Sequence, residues 1–176
     1  MSRKIVVLAG LGLVSSMLLS YPSIGASGGN VTLQGNVTEQ TCAASGSSEN
    51  LSVDLGMWST AQLNGGAGKT TSPRPFTLSL EGCPVGPLNI IFTGTVAAGS
   101  NDLLALDEGS ESAKNVAIEL LDSDMTHLGL AAASLPVTAD EEGNASFNFY
   151  ARYISIASQV GAGQANASSL FTITYN

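Results

Sequence analysis

An antiparallel β-sandwich is the fold class this sequence predicts, on three observations. Apolar and polar residues alternate in one short segment after another. Ser, Thr, Asn and Gly fill the stretches between those segments, and aromatic residues make up only 6% of the 176 residues. Strict alternation puts every second side chain on one face, the pattern of a half-buried strand. Many short strands with turn-rich punctuation, in a chain of about 150 residues, suit two packed sheets around one core.

The first segment belongs to export rather than to the fold. Met1 to Lys4 is a short basic start, Ile5 to Leu19 is almost wholly apolar, and residues 22–27 are mostly small. That order is the layout of a secretory signal peptide, with cleavage expected near Ala26. The apolar run, broken by Ser15 and Ser16, falls short of the roughly 20 residues a membrane span needs. The expected organisation is a signal peptide over 1–26, an extension over 27–41 and one β-domain over 42–176. No internal repeat or flexible linker divides it further.

The strand-like segments follow in order. In residues 30–37, Val31, Leu33, Gly35 and Val37 share a face. Leu51, Val53 and Leu55 alternate before Gly56. Phe76, Leu78 and Leu80 do so before Gly82, and Leu88, Ile90 and Phe92 before Gly94. Val116, Ile118 and Leu120 alternate within 114–122, and Phe147, Phe149, Ala151 and Tyr153 within 146–154. The last segment, 170–176, carries Phe171, Ile173 and Tyr175 on one face. About seven strands result. Residues 64–68, 97–102, 107–112 and 161–169 read as loops, and 131–134 as one helical turn stopped by Pro136.

The two terminal segments make an unusual pair. The last strand is expected to leave an edge whose N–H and C=O groups invite another chain. The strand-like segment before Cys42 is surplus to an ordinary sandwich. It can either fold back over its own domain or be offered elsewhere. Gly35 favours the second arrangement, since a strand glycine suits a place where another backbone or side chain approaches closely.

Charge narrows the partners. Without the leader, Lys69, Arg74, Lys114 and Arg152 stand against 14 acidic residues, a net charge of −10. Nucleic acid, bound mainly through cationic contacts to phosphate, is excluded. No second apolar run of membrane-spanning length follows, so stable membrane insertion is not expected. Cys42 and Cys83 are the two cysteines; in an oxidising compartment such a pair is expected to form a disulfide, and no Cys-x-x-Cys motif suggests a redox or metal role.

Enzyme chemistry finds little support. His127 is the single histidine and reads as a loop or strand-end residue. No Gly-x-Ser-x-Gly turn pairs with it. Asp107, Glu108 and Glu111, like Asp140, Glu141 and Glu142, read as acidic surface loops rather than metal or acid–base sites. Residues 65–70 lack phosphate-loop spacing. Trp58 and Tyr150 read as packing residues, with contact to a glycan as the rival. No cofactor, metal or catalytic residue is called for.

Taken together, these residues resemble the structural subunits of chaperone–usher fimbriae, of the type 1 pilin kind. The likeness runs from the leader and Gly28-Gly-Asn-Val-Thr-Leu-Gln-Gly-Asn-Val37 into Cys42. It continues through Val53-Asp-Leu-Gly56, Phe76-Thr-Leu-Ser-Leu-Glu-Gly-Cys83 and Asn115-Val-Ala-Ile-Glu-Leu-Leu-Asp122. It ends with Phe149-Tyr-Ala-Arg-Tyr153 and the run from Gly163 to the penultimate Tyr175. The order of these segments and the cysteine spacing carry the likeness.

The resemblance implies an immunoglobulin-like sandwich lacking its final strand, with a groove beside the C-terminal strand. It implies that a periplasmic chaperone lends a strand to that groove. At an outer-membrane usher, a neighbouring pilin's N-terminal extension then replaces the chaperone's strand. Val31, Leu33, Gly35 and Val37 match the donor positions. Phe171, Ile173, Tyr175 and the terminal Asn176 match the acceptor edge and chaperone contact, and Cys42 with Cys83 the family disulfide. The expected product is a surface fimbria that supports adhesion. A minor adaptor or one-domain adhesin binding a host glycan stays open beside the shaft subunit, and a secreted enzyme stands further off.

Overall fold

The computed structural model describes residues 42–175. The expected signal peptide, the donor positions Val31, Leu33, Gly35 and Val37, and Asn176 lie outside the described residues. Within them the fold is all-β apart from one short helix, α1 (Thr60–Leu63), capped by the Ser59 hydroxyl, which accepts from the Ala61 amide.

Eight strands form two sheets: β1 (Ala43–Ala44), β2 (Arg74–Glu81), β3 (Pro87–Thr93), β4 (Leu104–Ala105), β5 (Val116–Leu121), β6 (Val137–Thr138), β7 (Ala145–Ser155) and β8 (Leu170–Tyr175). One sheet has the order β1-β2-β7-β5-β4 and the other β6-β3-β8. All pairings are antiparallel. β7 is the axis of the larger sheet: Phe76 pairs with Phe149 on one side, and Leu120 with Ala151 on the other.

The alternation read from the sequence becomes the core. Leu78 and Leu80 of β2, Leu88, Ile90 and Phe92 of β3, and Phe147 and Phe149 of β7 are all buried. Phe92 meets Phe149 edge-on at 5.0 Å between ring centroids, and Phe76 meets Phe92 edge-on at 6.2 Å. Edge-to-face pairs place a positive ring edge on a negative ring face. They therefore bind the two sheets beyond the area they bury.

Strand β5 departs from simple alternation, being buried on both faces. The segment after it folds over its outer side, with the Leu128 amide donating to the Leu120 carbonyl at 2.9 Å. This burial includes Glu119, whose carboxylate accepts from Arg152 Nε at 2.6 Å. His127 sits in this loop, as expected. It also bridges two carboxylates, with Nδ1 3.1 Å from Glu119 and Nε2 3.0 Å from Asp102.

Three expectations need correction. Residues 51–55 form no strand, although Leu55 is buried and Val53 half-buried; among the described residues no strand pairs with them. Residues 131–134 form no helical turn. Ala131 has φ of 64°, and Ala133 bridges to Ile91, so these residues cover the edge of β3 instead. The two-residue strands β1, β4 and β6 were missed, being too short to show a period.

Two crosslinks fix the frame. Cys42 and Cys83 form a disulfide across 41 positions, tying the start of the domain to the β2–β3 turn. Gly163 lies flat against the backbone of residues 111–113; a Cβ there would press on the Glu111 carbonyl and the Ala113 amide. Removing the disulfide (Cys42→Ser with Cys83→Ser) is expected to cost about 2–5 kcal/mol in urea unfolding. Gly163→Ala is expected to cost about 1–3 kcal/mol, because backbone rather than a side-chain end must move; an unchanged urea midpoint would refute this close-packing account.

Candidate functional site

The site begins with an asymmetry between sheet edges. The larger sheet ends in β1 and β4, two residues each, and short edge strands are a common way to blunt an edge. In the smaller sheet, β3 is covered on one side by β6 and by residues 131–134, where the Ala131 amide donates to Phe92 and the Ser134 amide to Ile90. On its other side β3 pairs with β8 in a regular register: Leu88 with Tyr175, Ile90 with Ile173, Phe92 with Phe171. β8 has no further strand neighbour among the described residues. A six-residue strand thus forms an open edge.

A groove meets the start of that edge, at Leu170 and Phe171. Two adjoining cavities, about 590 and 810 Å³, share Leu51, Val53, Leu55, Ile118, Ala167 and Ser168 in their walls. One lip is the irregular segment 51–58; the other is 160–171, leading into β8. The floor of the smaller cavity is the core itself, with Phe76, Leu78, Phe92 and Leu120. The missing ladder along 51–55 and the open edge of β8 therefore face the same gap.

Phe171 and Ile173 are half-buried and pack against the core, as their alternation suggests. Tyr175 is half-exposed, and its hydroxyl accepts a hydrogen bond from the Cys42 amide at 3.0 Å. The structure thus gathers Phe171, Ile173, Tyr175 and the Cys42–Cys83 disulfide along one side of the domain. Nothing in the residue pattern marks the opposite lip as part of a site. Its only signal there was an alternation that the fold leaves unpaired. Trp58 belongs to that lip, its indole N–H donating to the Leu55 carbonyl at 2.7 Å. Tyr150 is not in the groove wall; it lies on β7 opposite Pro75 and Leu121.

The wider cavity is more polar, with Asp54, Asp107, Gln164 and Asn166 in its wall. The Tyr153 hydroxyl donates to the Ala165 carbonyl at 3.0 Å there. Burial first, and then the charge of Asp54, raises the Tyr153 phenol above the ordinary tyrosine range. Among the described residues no group of His, Cys, Asp and Glu has the arrangement of a metal site.

A family model for fimbrial protein matches residues 31–176. The chain belongs to the fimbrial protein family. A fimbrial-like protein, FimF, of Salmonella typhimurium is 43% identical over 99% of this chain and 98% of its own. A type-1 fimbrial protein subunit of Serratia marcescens is 34% identical over 85% and 88%. The type-1 fimbrial protein A chain of Escherichia coli K12 is 32% identical over 97% and 96%. Among solved structures, an antigen and type I fimbria protein of Burkholderia pseudomallei is 29% identical, with a TM-score of 0.58 over 78% of this chain and 91% of that one. The P pilus rod subunit PapA shares the fold at 22% identity, with a TM-score of 0.62 over 77% and 99%. The type 1 pilin resemblance is thereby borne out, and this fimbrial protein has its place in the fimbria on the cell surface.

Tyr153 supplies a check on the groove's burial. A phenol that holds its proton more tightly when folded contributes fully below the unfolded value of about 10, and that contribution is lost as pH rises through the higher folded value. The urea midpoint of the fimbrial protein is expected to fall as pH rises above about 10, and to fall less in Tyr153→Phe. At neutral pH the variant loses about 1 kcal/mol with its hydrogen bond. Parallel slopes for the two proteins would show Tyr153 to be solvated.

Proposed function

We propose that this fimbrial protein is a polymerising subunit of a fimbrial shaft, joined head to tail by strands exchanged between copies. The observation that carries the reading is the open edge of β8 beside a groove floored by the core. A groove of this kind takes an extended segment with alternating apolar side chains: main-chain bonds give affinity, and pockets for every second side chain give specificity. Residues 31–37 have that pattern, with Val31, Leu33, Gly35 and Val37 on one face. Their length suits the acceptor, since seven residues span roughly 20 Å and β8 has six residues. Each Val or Leu fully buried adds about 1.5–3 kcal/mol. Three such side chains and a ladder along β8 would hold a junction for long times.

The same groove needs a temporary occupant before assembly, since an exposed edge of this length invites aggregation. A periplasmic chaperone lending a strand to β8, with Phe171, Ile173, Tyr175 and Asn176 as its contacts, meets that need, and an outer-membrane usher would host the exchange. The organisation into a leader over 1–26, a donor extension over 27–41 and an acceptor domain over 42–176 belongs to this proposal, as does adhesion through the finished fibre. A second reading, a minor subunit of the same fibre, is favoured by one observation. Identity is 43% to a relative called fimbrial-like and 32% to one called an A chain.

Gly35→Phe places a bulky side chain where the donor has none. It is expected to abolish the SDS-resistant ladder on unboiled gels while chaperone capture through β8 persists. Ile173→Asp is expected to abolish both. Wild-type ladders from Gly35→Phe would sink the donor assignment. Wild-type chaperone capture by Ile173→Asp would sink the acceptor assignment. A ladder-forming chain found only at trace levels in isolated fibres would favour the minor subunit.

A further inference from the structure

The groove's rim carries exposed apolar side chains that no described residue covers. Met57 is 101% exposed and lines the wider cavity; Leu170 is 77% exposed and lines the narrower one, on the opposite lip. Large apolar groups fully in water gain nothing for the isolated domain. Loose chain does not account for either one. Around Met57, the Asp54 carboxylate accepts from the Gly56 amide at 2.8 Å, and Gly56 turns the backbone at φ of 79°. The flanking Leu55 is buried and Trp58 is held by its indole bond. A braced turn thus holds Met57 alone outward at the groove mouth. Beside Leu170, the Ser169 hydroxyl donates to the Thr93 carbonyl at 2.9 Å and fixes the other lip.

We propose that Met57 and Leu170 are contact residues for the strand that occupies the groove, closing over its outward side from the two lips. The occupant is residues 28–40 of a second copy, so the inference rests on the strand-exchange reading above. The inward positions of that segment are apolar, whereas Thr32, Gln34 and Asn36 face out. A strand so seated leaves its backbone bonds near water. A rim of apolar side chains that excludes water protects such bonds and slows their release. An unbranched thioether adapts to whatever surface it covers.

Methionine oxidation tests this on the intact exported chain. Beyond the leader the only methionines are Met57 and Met125. Met125 is 47% exposed and absent from both groove walls, so it serves as an internal standard. Monomer and oligomer separated by size exclusion are treated with hydrogen peroxide, and sulfoxide at each position is followed by mass spectrometry. On assembly, oxidation of Met57 is expected to slow about tenfold while Met125 stays within about twofold. Equal Met57 rates in monomer and oligomer would overturn the proposal, including the case where the monomer is already protected by its own N-terminal segment. If no oligomer forms at all, the strand-exchange reading fails first and this one with it. Met57→Gln and Leu170→Ser, both at exposed positions, should fold normally and assemble. Their oligomers should dissociate about tenfold faster in denaturant; wild-type lifetimes would overturn the contact role even with the oxidation result in hand.

Discussion

The constraint on which the rest of this structure depends is the backbone of β8, which among the described residues is paired on one side only. β3 supplies partners along its whole inner edge. On the outer side lies a groove rather than a strand, and the segment across it, 51–58, has no ladder of its own. Buried backbone donors and acceptors without partners are costly, and in native domains nearly all are paired. Under the proposed strand exchange, an edge of this length beside an apolar floor takes an extended segment with side chains alternating at the spacing of a strand.

The remaining architecture keeps that groove in shape. The disulfide anchors Cys42, whose amide in turn holds the Tyr175 hydroxyl at the far end of β8. Gly163 lets the other lip lie directly on residues 111–113, where the Ala113 amide donates to the Gln164 carbonyl and the Gln164 amide to Glu111. The Glu119 carboxylate, shared by Arg152 and His127, secures the loop over the outer face of β5, whose inner face contributes Ile118 and Leu120 to the groove. Under the proposed strand exchange, a groove braced in this way loses little conformational freedom on filling, and less of the gross interaction is spent on ordering.

The longer strands were legible because alternation survives wherever one face is buried and the other wet. β2, β7 and β8 have this character, and each appears where the pattern put it, within a few residues; β3 appears there too, although Asn89 on its other face is also buried. The signal vanished at two-residue strands, which contain less than one period. It misled at 51–55, where alternation records burial of Leu55 and Val53 while pairing depends on a neighbour that no described strand provides there. It misled again at 131–134, where good helix formers are recruited to cap β3 because Ser134 and Ala131 satisfy backbone groups of Ile90 and Phe92. The strand carrying Phe171, Ile173 and Tyr175 was readable from their alternation. The opposite lip was not, because it is made of loop residues brought there by tertiary packing alone.

Symmetry carries the argument from site to fibre. A patch that contacts its own copy on a second molecule closes after two subunits. Contacts between two different patches generate rings or open filaments, according to whether the rotation closes. Under the proposed exchange the giving segment lies before Cys42 and the receiving groove lies along β8, so the junction joins unlike surfaces. Each added copy brings a fresh segment and fills one groove, leaving the number of open grooves unchanged. Growth then has a single direction, and nothing in the junction itself sets a length. The net charge, −8 over the whole sequence and −10 without residues 1–26, works against side-by-side clustering of such chains, while the short-range apolar burial at a junction is largely indifferent to it. Strong association is thereby confined to the one edge where the fold is incomplete.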